Sequence, residues 1–270
     1  MAEQASKPGS RFKLGSKLRH LVPLLVIALI YVWAIEGSNT NPVSFAEGVP
    51  FFIDYVGRMF PPDLSVLGRL ILKAGETLQM AVMGTTLGAA AALPLSFLAA
   101  RNVMPYRPVY QATRTLFDAC RGINEIIWAL IFVSMVGLGP FPGVLALTVH
   151  LTGALGKYFS ETIEASDREL VTAIAATGAN RFQTVYHGIV PQVRPLFVGY
   201  TFYYLEHSFR AATVLGLVGA GGIGVELINS VRLFKNQEVL TALLVMVVTV
   251  TAIDRLSAFV RMRFITGVEA

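Results

Sequence analysis

The chain has 270 residues, of which 54% are hydrophobic and only 14% charged, and its mean hydropathy is +0.60. Soluble domains carry about 25% charged residues, so most of this chain must face lipid or other apolar helices. The net charge of +5 does not indicate nucleic acid. The basic residues sit at segment ends and form no interleaved patch, which is the positive-inside pattern of a membrane protein.

In chain order, Lys7, Arg11, Lys13, Lys17 and Arg19 precede the apolar run Leu21–Ile35. That arrangement fits either a signal peptide or an uncleaved first transmembrane helix. The second reading is favoured, because no small-x-small cleavage site follows the run and further spans do. A helix needs about 20 apolar residues to cross the hydrocarbon core. The later candidates are Ile71–Ala99, Tyr110–Val136, Pro142–Ser160, Leu196–Val218 and Val239–Val260, and the first run extends at its basic end. The segments between them carry Gly37–Pro42, Pro61-Pro62, Gly139–Pro142 and Gly219–Gly224, all turn chemistry. The expectation is an all-α membrane protein with about six transmembrane helices and no internal repeat. Phe51, Phe52, Tyr55 and Phe60 stud the stretch from Phe45 to Leu64, which reads either as an interfacial helix or as a segment packed on the ends of the spans. Cys120 stands alone, which rules out an intrachain disulfide and a cysteine zinc site; it reads as a small buried hydrophobe.

Orientation follows from the charges. With the N-terminus inside, Arg101, Arg107, Arg168, Arg181, Arg194, Arg255, Arg261 and Arg263 are also cytoplasmic, leaving Arg58, Arg69, Arg232 and Lys235 outside. The reverse orientation inverts that ratio, so both termini are expected in the cytoplasm.

Two glycine motifs are decoys. Gly219-Ala-Gly221-Gly222-Ile-Gly224 lacks the preceding strand that a dinucleotide loop needs, and reads as a tight turn in which absent side chains let backbones approach. Gly153 to Tyr158 holds a Gly-Lys pair, but Leu151 stands where a P-loop needs Gly and Tyr158 where it needs Ser or Thr. No ATP site, cofactor site or metal site is read in this chain. Nucleophile elbows, His-Glu-x-x-His and paired carboxylates with a nearby base are all missing from the sequence, which disfavours an intramembrane enzyme.

Ionisable residues within the spans are costly and are kept only when paired or hydrated. Glu206 and Arg210 stand four apart, acid first, which is the favourable order on a helix; Arg121 and Glu125 are expected to pair in the reverse order. Either the pairs neutralise each other, or they line a polar path for an anionic substrate. His150, His207, Glu76 and Lys157 read as packing or snorkelling residues rather than ligands.

The most informative stretch lies between two apolar runs. Ala173-Ile-Ala-Ala-Thr177-Gly178-Ala179-Asn180-Arg181-Phe182 continues to Val190-Pro191. It predicts a helix to Gly178, a turn, a second helix and a stop at Pro191. The Gly178-to-Pro191 spacing resembles the "EAA" coupling loop of ABC-importer permeases, with Thr172 in place of the motif Glu and Gly188 in place of its Ile. Arg210 to Gly224, Glu226 to Phe234, and Asn124 to Phe132 with Val136 to Pro140 are similar to the permease subunit of phosphonate importers. The resemblance covers roughly Leu70 to Met262.

It implies a type I ABC importer fold and a non-catalytic subunit in the bacterial inner membrane. A second permease copy, two cytoplasmic subunits that bind ATP and Mg, and a periplasmic substrate-binding protein would complete the machine. Substrates of that family include phosphonate, phosphite and hypophosphite. The chain would then divide into a basic segment 1–20, a first helix and periplasmic segment 21–69, a permease core 70–262 with its coupling hairpin at 169–192, and a tail 263–270. Phosphonates are anions, and an anion crossing low dielectric needs positive charge, for which Arg121 and Arg210 are the best-placed residues. The competing reading, a secondary transporter or channel, would leave the hairpin without a purpose and usually shows repeats with broken helices.

Overall fold

A computed structural model describes the backbone of residues 14–38 and 42–265, with side chains over 23–38 and 43–259. The expected basic segment 1–20 and tail 263–270 fall wholly or mostly outside those residues. Among the described residues the chain is helical and contains no strand. It forms two compact units, Met1–Gly57 and Arg58–Ala270.

The first unit holds α1, Leu14–Gly37, and α2, Pro42–Gly57. The first apolar run is thus helical and extends at its basic end, as expected. Its apolar side chains are exposed from Leu24 to Ile35, and so are Phe45, Phe51 and Phe52 on α2.

The second unit is built on α3 (Leu67–Leu98) and α6 (Pro140–Glu164), which pack on each other most extensively. Small residues make that packing close: a Cβ on Gly84 would lie 2.6 Å from Leu147 Cβ, and one on Gly88 2.7 Å from Leu151 Cβ. In a membrane, where apolar burial offers little drive, such close backbone approach supplies the packing energy. Around this pair run α4 (Arg107–Gly122), α5 (Glu125–Val136), α9 (Val190–Leu215), α10 (Gly222–Arg232) and α11 (Asn236–Ile265). Leu147, Leu151, Leu155 and Phe159 of α6 meet Val193, Phe197, Ala212 and Leu215 of α9 in the core. Phe159 and Phe197 stack with centroids 4.1 Å apart. Gly156, part of the Gly-Lys decoy, is the seat of the Phe117 ring from α4. Cys120 is half-buried rather than fully buried.

Among the described residues α3 and α11 are long and apolar enough to cross a membrane alone. Two bent pairs, α4 with α5 at 86° and Arg181–Val218 with Gly222–Arg232 at 45°, raise the number to as many as four if each pair is one span.

The expected single span Tyr110–Val136 is therefore two helices. The physical cause is local: Ile123 is extended (φ −92°, ψ 127°), and the Asn124 side chain accepts the Ile126 N–H at 2.9 Å, capping a new helix. The break also removes the expected Arg121–Glu125 pair, since the two residues no longer share a helix. Arg121 bonds Asp118 at 2.7 Å instead, and Glu125 faces His150 across 3.8 Å.

Candidate functional site

The hairpin stands on α7 (Arg168–Ala176) and a short α8 (Arg181–Thr184). Asp167 starts α7 by accepting the Glu169 N–H at 2.8 Å. Gly178 turns the chain at φ +86°, where a side chain is strained. Asn180 and Gln183 then form a reciprocal capping box, each bond 2.9 Å, which satisfies two donors at the start of α8. The two arms pack where the motif Ile is replaced: a Cβ on Gly188 would sit 3.4 Å from Ile174 Cδ1. At the base, Gln192 accepts the Asp167 N–H at 2.9 Å and donates to Gly188 O at 2.6 Å. Ala173, Thr177, Gly178, Asn180, Arg181 and Phe182 are exposed and Ala179 half-buried, so the tip is open to a partner. The Phe182 ring, 77% exposed, stacks on Tyr186.

The expected stop at Pro191 does not occur. Val185–Ile189 forms a π-helical turn, with the Val190 N–H bonded to Val185 O, and α9 continues from it through Pro191. Proline lacks an N–H and clashes with the carbonyl four residues back. The wider turn before it removes that conflict, so the hairpin and α9 are one continuous body.

The Glu206–Arg210 pair is present, at 2.6 Å. Asp254 of α11 also approaches Arg210, at 3.7 Å, and was not anticipated from local spacing. Arg210 is 45% exposed and Glu206 only 15%, so the carboxylate is the more deeply set partner. Arg121, on α4, bonds Asp118 in an exposed pair of the kind that contributes little, and lies within electrostatic reach of Tyr204 on α9. Glu125, Glu206 and Arg210 all lie within electrostatic reach of His207, so the structure brings the four expected path residues near the Tyr204–His207 turn of α9, with His150 beside them, although not as two pairs along single helices. Along α9 a polar stripe was also overlooked. Tyr203 and Tyr204 lie edge to face with centroids 5.4 Å apart, and Tyr200 and Tyr204 both face Tyr158 of α6, at 5.3 and 5.8 Å. His207 meets Tyr204 at 5.9 Å. The spacing Tyr200, Tyr203, Tyr204, His207 is one helix face, legible in principle as a hydroxyl-bearing seam in an apolar run.

At the other end of α3 the glycine motif forms a turn that leads into α10. Gly219, Gly221 and Gly222 have φ of +88°, +79° and +75°. Gly139 N–H bonds Gly219 O at 3.0 Å, which ties the turn to the α5–α6 connection. Two residues of α3 close the N-terminus of α10: Glu76 Oε1 accepts the Gly222 N–H and Thr77 Oγ1 the Ile223 N–H, both at 2.9 Å. Glu76 is thus a helix cap, held also by Lys73 at 2.6 Å, rather than a packing or snorkelling residue. Thr77 to Ala99, near the hairpin base, spans roughly 33 Å of helix at 1.5 Å per residue, about the thickness of a hydrocarbon core. Hairpin and glycine turn therefore lie at opposite ends of the bundle. Because a Cβ on Gly224 would run into the Thr213 carbonyl oxygen, Gly224→Ala should destabilise the chain by roughly 1–3 kcal/mol through overpacking. Thermal unfolding in detergent measures this, and an unchanged midpoint would show that the turn is loosely packed.

Residues 92–265 match the family model described as a binding-protein-dependent transport system inner membrane component. HtxC of Stutzerimonas stutzeri is 44% identical over 90% of this chain and 86% of its own length. The phosphite transport system permease protein PtxC of the same organism is 39% identical over 97% of this chain and 96% of its own. The fold is similar to that of a chain in inward-facing structures of the MetNI methionine ABC transporter, with a TM-score of 0.66, 20% identity, and coverage of 75% of this chain and 99% of that one. The all-α architecture is that of a type I ABC importer permease.

Proposed function

This chain belongs to the family of inner membrane components of binding-protein-dependent transport systems, and we propose that it is the permease of an ATP-driven importer of phosphonate-type anions. Phosphite is the substrate named for PtxC, and phosphonate and hypophosphite share its tetrahedral anionic chemistry. The observation that carries the coupling role is the exposed, doubly capped hairpin that runs without interruption into α9. A partner that pushes the tip moves a core helix.

In this reading two cytoplasmic subunits bind ATP and Mg and receive the hairpins in grooves, with Arg181 as a charged anchor and Phe182 as an apolar plug. A second copy of the permease completes the path, and a periplasmic protein delivers the anion. The inner-membrane orientation has both termini and the hairpin in the cytoplasm, as the arginine asymmetry supports. The core from residue 70 to 262 carries transport, with 21–69 as an added helix and periplasmic segment. ATP-driven closure of the partners swings the helices to an outward-facing state. Arg210 and Arg121 supply positive charge along the route, and the α6–α9 tyrosine seam offers neutral donors beside it.

The test is reconstitution of the permease with its partner ATPase and binding protein in proteoliposomes. Phosphite, methylphosphonate or hypophosphite should stimulate hydrolysis several-fold and accumulate inside. Failure of the ATPase to co-purify, or hydrolysis indifferent to all three anions, would overturn the reading.

A further inference from the structure

The connection between α3 and α4 borders a cavity of about 410 Å³ lined by Arg101, Met104, Pro105, Arg107, Tyr110 and Gln111. No acid stands among those lining residues. Glu164, the acid bonded nearby, is taken up by Arg114 at 2.9 Å and by the Arg101 backbone N–H at 2.8 Å. The Arg101 side chain is fixed in place: Nε donates to the Tyr110 hydroxyl at 2.9 Å, and the guanidinium lies over the Tyr110 ring at 5.1 Å. Its terminal amino groups, and the whole Arg107 guanidinium, have no hydrogen-bond or ion-pair partner among the described residues. A planar fork held by one nitrogen presents the other two for bidentate bonding to a phosphate-type oxyanion.

We propose that this cavity binds the anionic phosphate headgroup of a membrane lipid. Inorganic phosphate shares the headgroup's chemistry, but the rest of the lining favours the amphiphile. Met104 and Pro105 give the cavity an apolar wall, and Tyr106, 64% exposed, stands beside Arg107 at the end of the membrane-length helix α3. Basic pockets between helices at the membrane surface are suited to such headgroups, and aromatic rings are enriched at that depth.

The site also adjoins the hairpin. Asn102, next to Arg101, donates to Ile163 O at 2.7 Å, just ahead of α7. Val103 lines a second cavity with Arg181, Phe182 and Val185. A headgroup that orders the 99–106 connection therefore orders the floor on which the hairpin stands.

Native mass spectrometry of the purified full-length chain in detergent tests this without relying on transport. Phosphatidylglycerol should be retained in preference to phosphatidylcholine. Each arginine near an anionic headgroup is worth about 1 kcal/mol, so Arg107→Gln should weaken retention about fivefold. Arg107→Lys, which keeps the charge, should preserve most of it. Equal retention of the two lipids, or an unchanged Arg107→Gln, would overturn the proposal. So would displacement of the lipid by millimolar inorganic phosphate, which would assign the cavity to a free oxyanion. A reconstituted permease that transports no phosphonate but keeps the lipid preference would leave this inference standing while removing the functional one.

Discussion

Replacing Gly178 with valine should uncouple the transporter: complex yield with the ATPase, or substrate-stimulated hydrolysis, should fall about tenfold or more. The cause would be conformational rather than steric, since a Cβ at Gly178 meets nothing within 4 Å while φ is +86°. A non-glycine residue in that region costs about 1–3 kcal/mol, more for a β-branched one. That cost falls on an exposed two-helix tip with little buried surface to resist it. Asparagine tolerates positive φ better than other side chains, so Gly178→Asn should keep most of the coupling. The ordering Gly, then Asn, then Val separates a backbone requirement from steric exclusion by the partner's groove. Normal yield and normal hydrolysis in the valine variant would remove the hairpin from the mechanism.

Arg210→Gln should lower transport about ten- to a hundredfold while assembly remains intact, as expected for loss of one charge-assisted hydrogen bond of about 1.5–3 kcal/mol. Removing Arg210 alone also takes its bonded countercharge from Glu206, which is 15% exposed, and breaking such a pair can be worse than deleting it. Glu206→Gln/Arg210→Gln therefore decides between the roles. If the anion meets Arg210, the double variant should assemble and still fail to transport. Full recovery would make the pair a neutralising bridge and nothing more. Asp254, 3.7 Å from Arg210, belongs in the same series. Asp254→Asn leaves the Glu206 bond in place and removes a competing carboxylate, so it should preserve transport if the guanidinium serves the substrate.

The features legible beforehand were those whose partners lie within a turn or two along the chain. The hairpin, its Gly178 turn and the Glu206–Arg210 pair all depend on residues a few positions apart, and local chemistry names them. The break at Ile123 was hidden because apolar residues continue on both sides, and hydropathy does not register a change of direction. Its signal was present in Gly122 followed by Asn124, a helix end and a cap within three positions. The roles of Glu76 and Asp254 were out of reach for another reason. Glu76 caps a backbone 146 residues away, and Asp254 reaches Arg210 from a separate helix. Only the packing of α3 against α10 and of α9 near α11 creates those neighbours. Pro191 misled because a proline usually ends a helix, and the π-turn that accommodates it has no marker in local composition.

That π-turn also fixes an azimuth. A helix advances about 100° per residue, so five residues wound more widely leave the hairpin aimed as it would be on an ordinary helix one residue shorter. Rewinding Val185–Ile189 to α-helical pitch would swing Phe182 by about 100° around the α9 axis while lengthening the arm by only about 1.5 Å. Torque on the tip would thus redirect the Phe182 ring far more than it would move it along the axis. The length of the lever is set by α9; its bearing is set by these five residues.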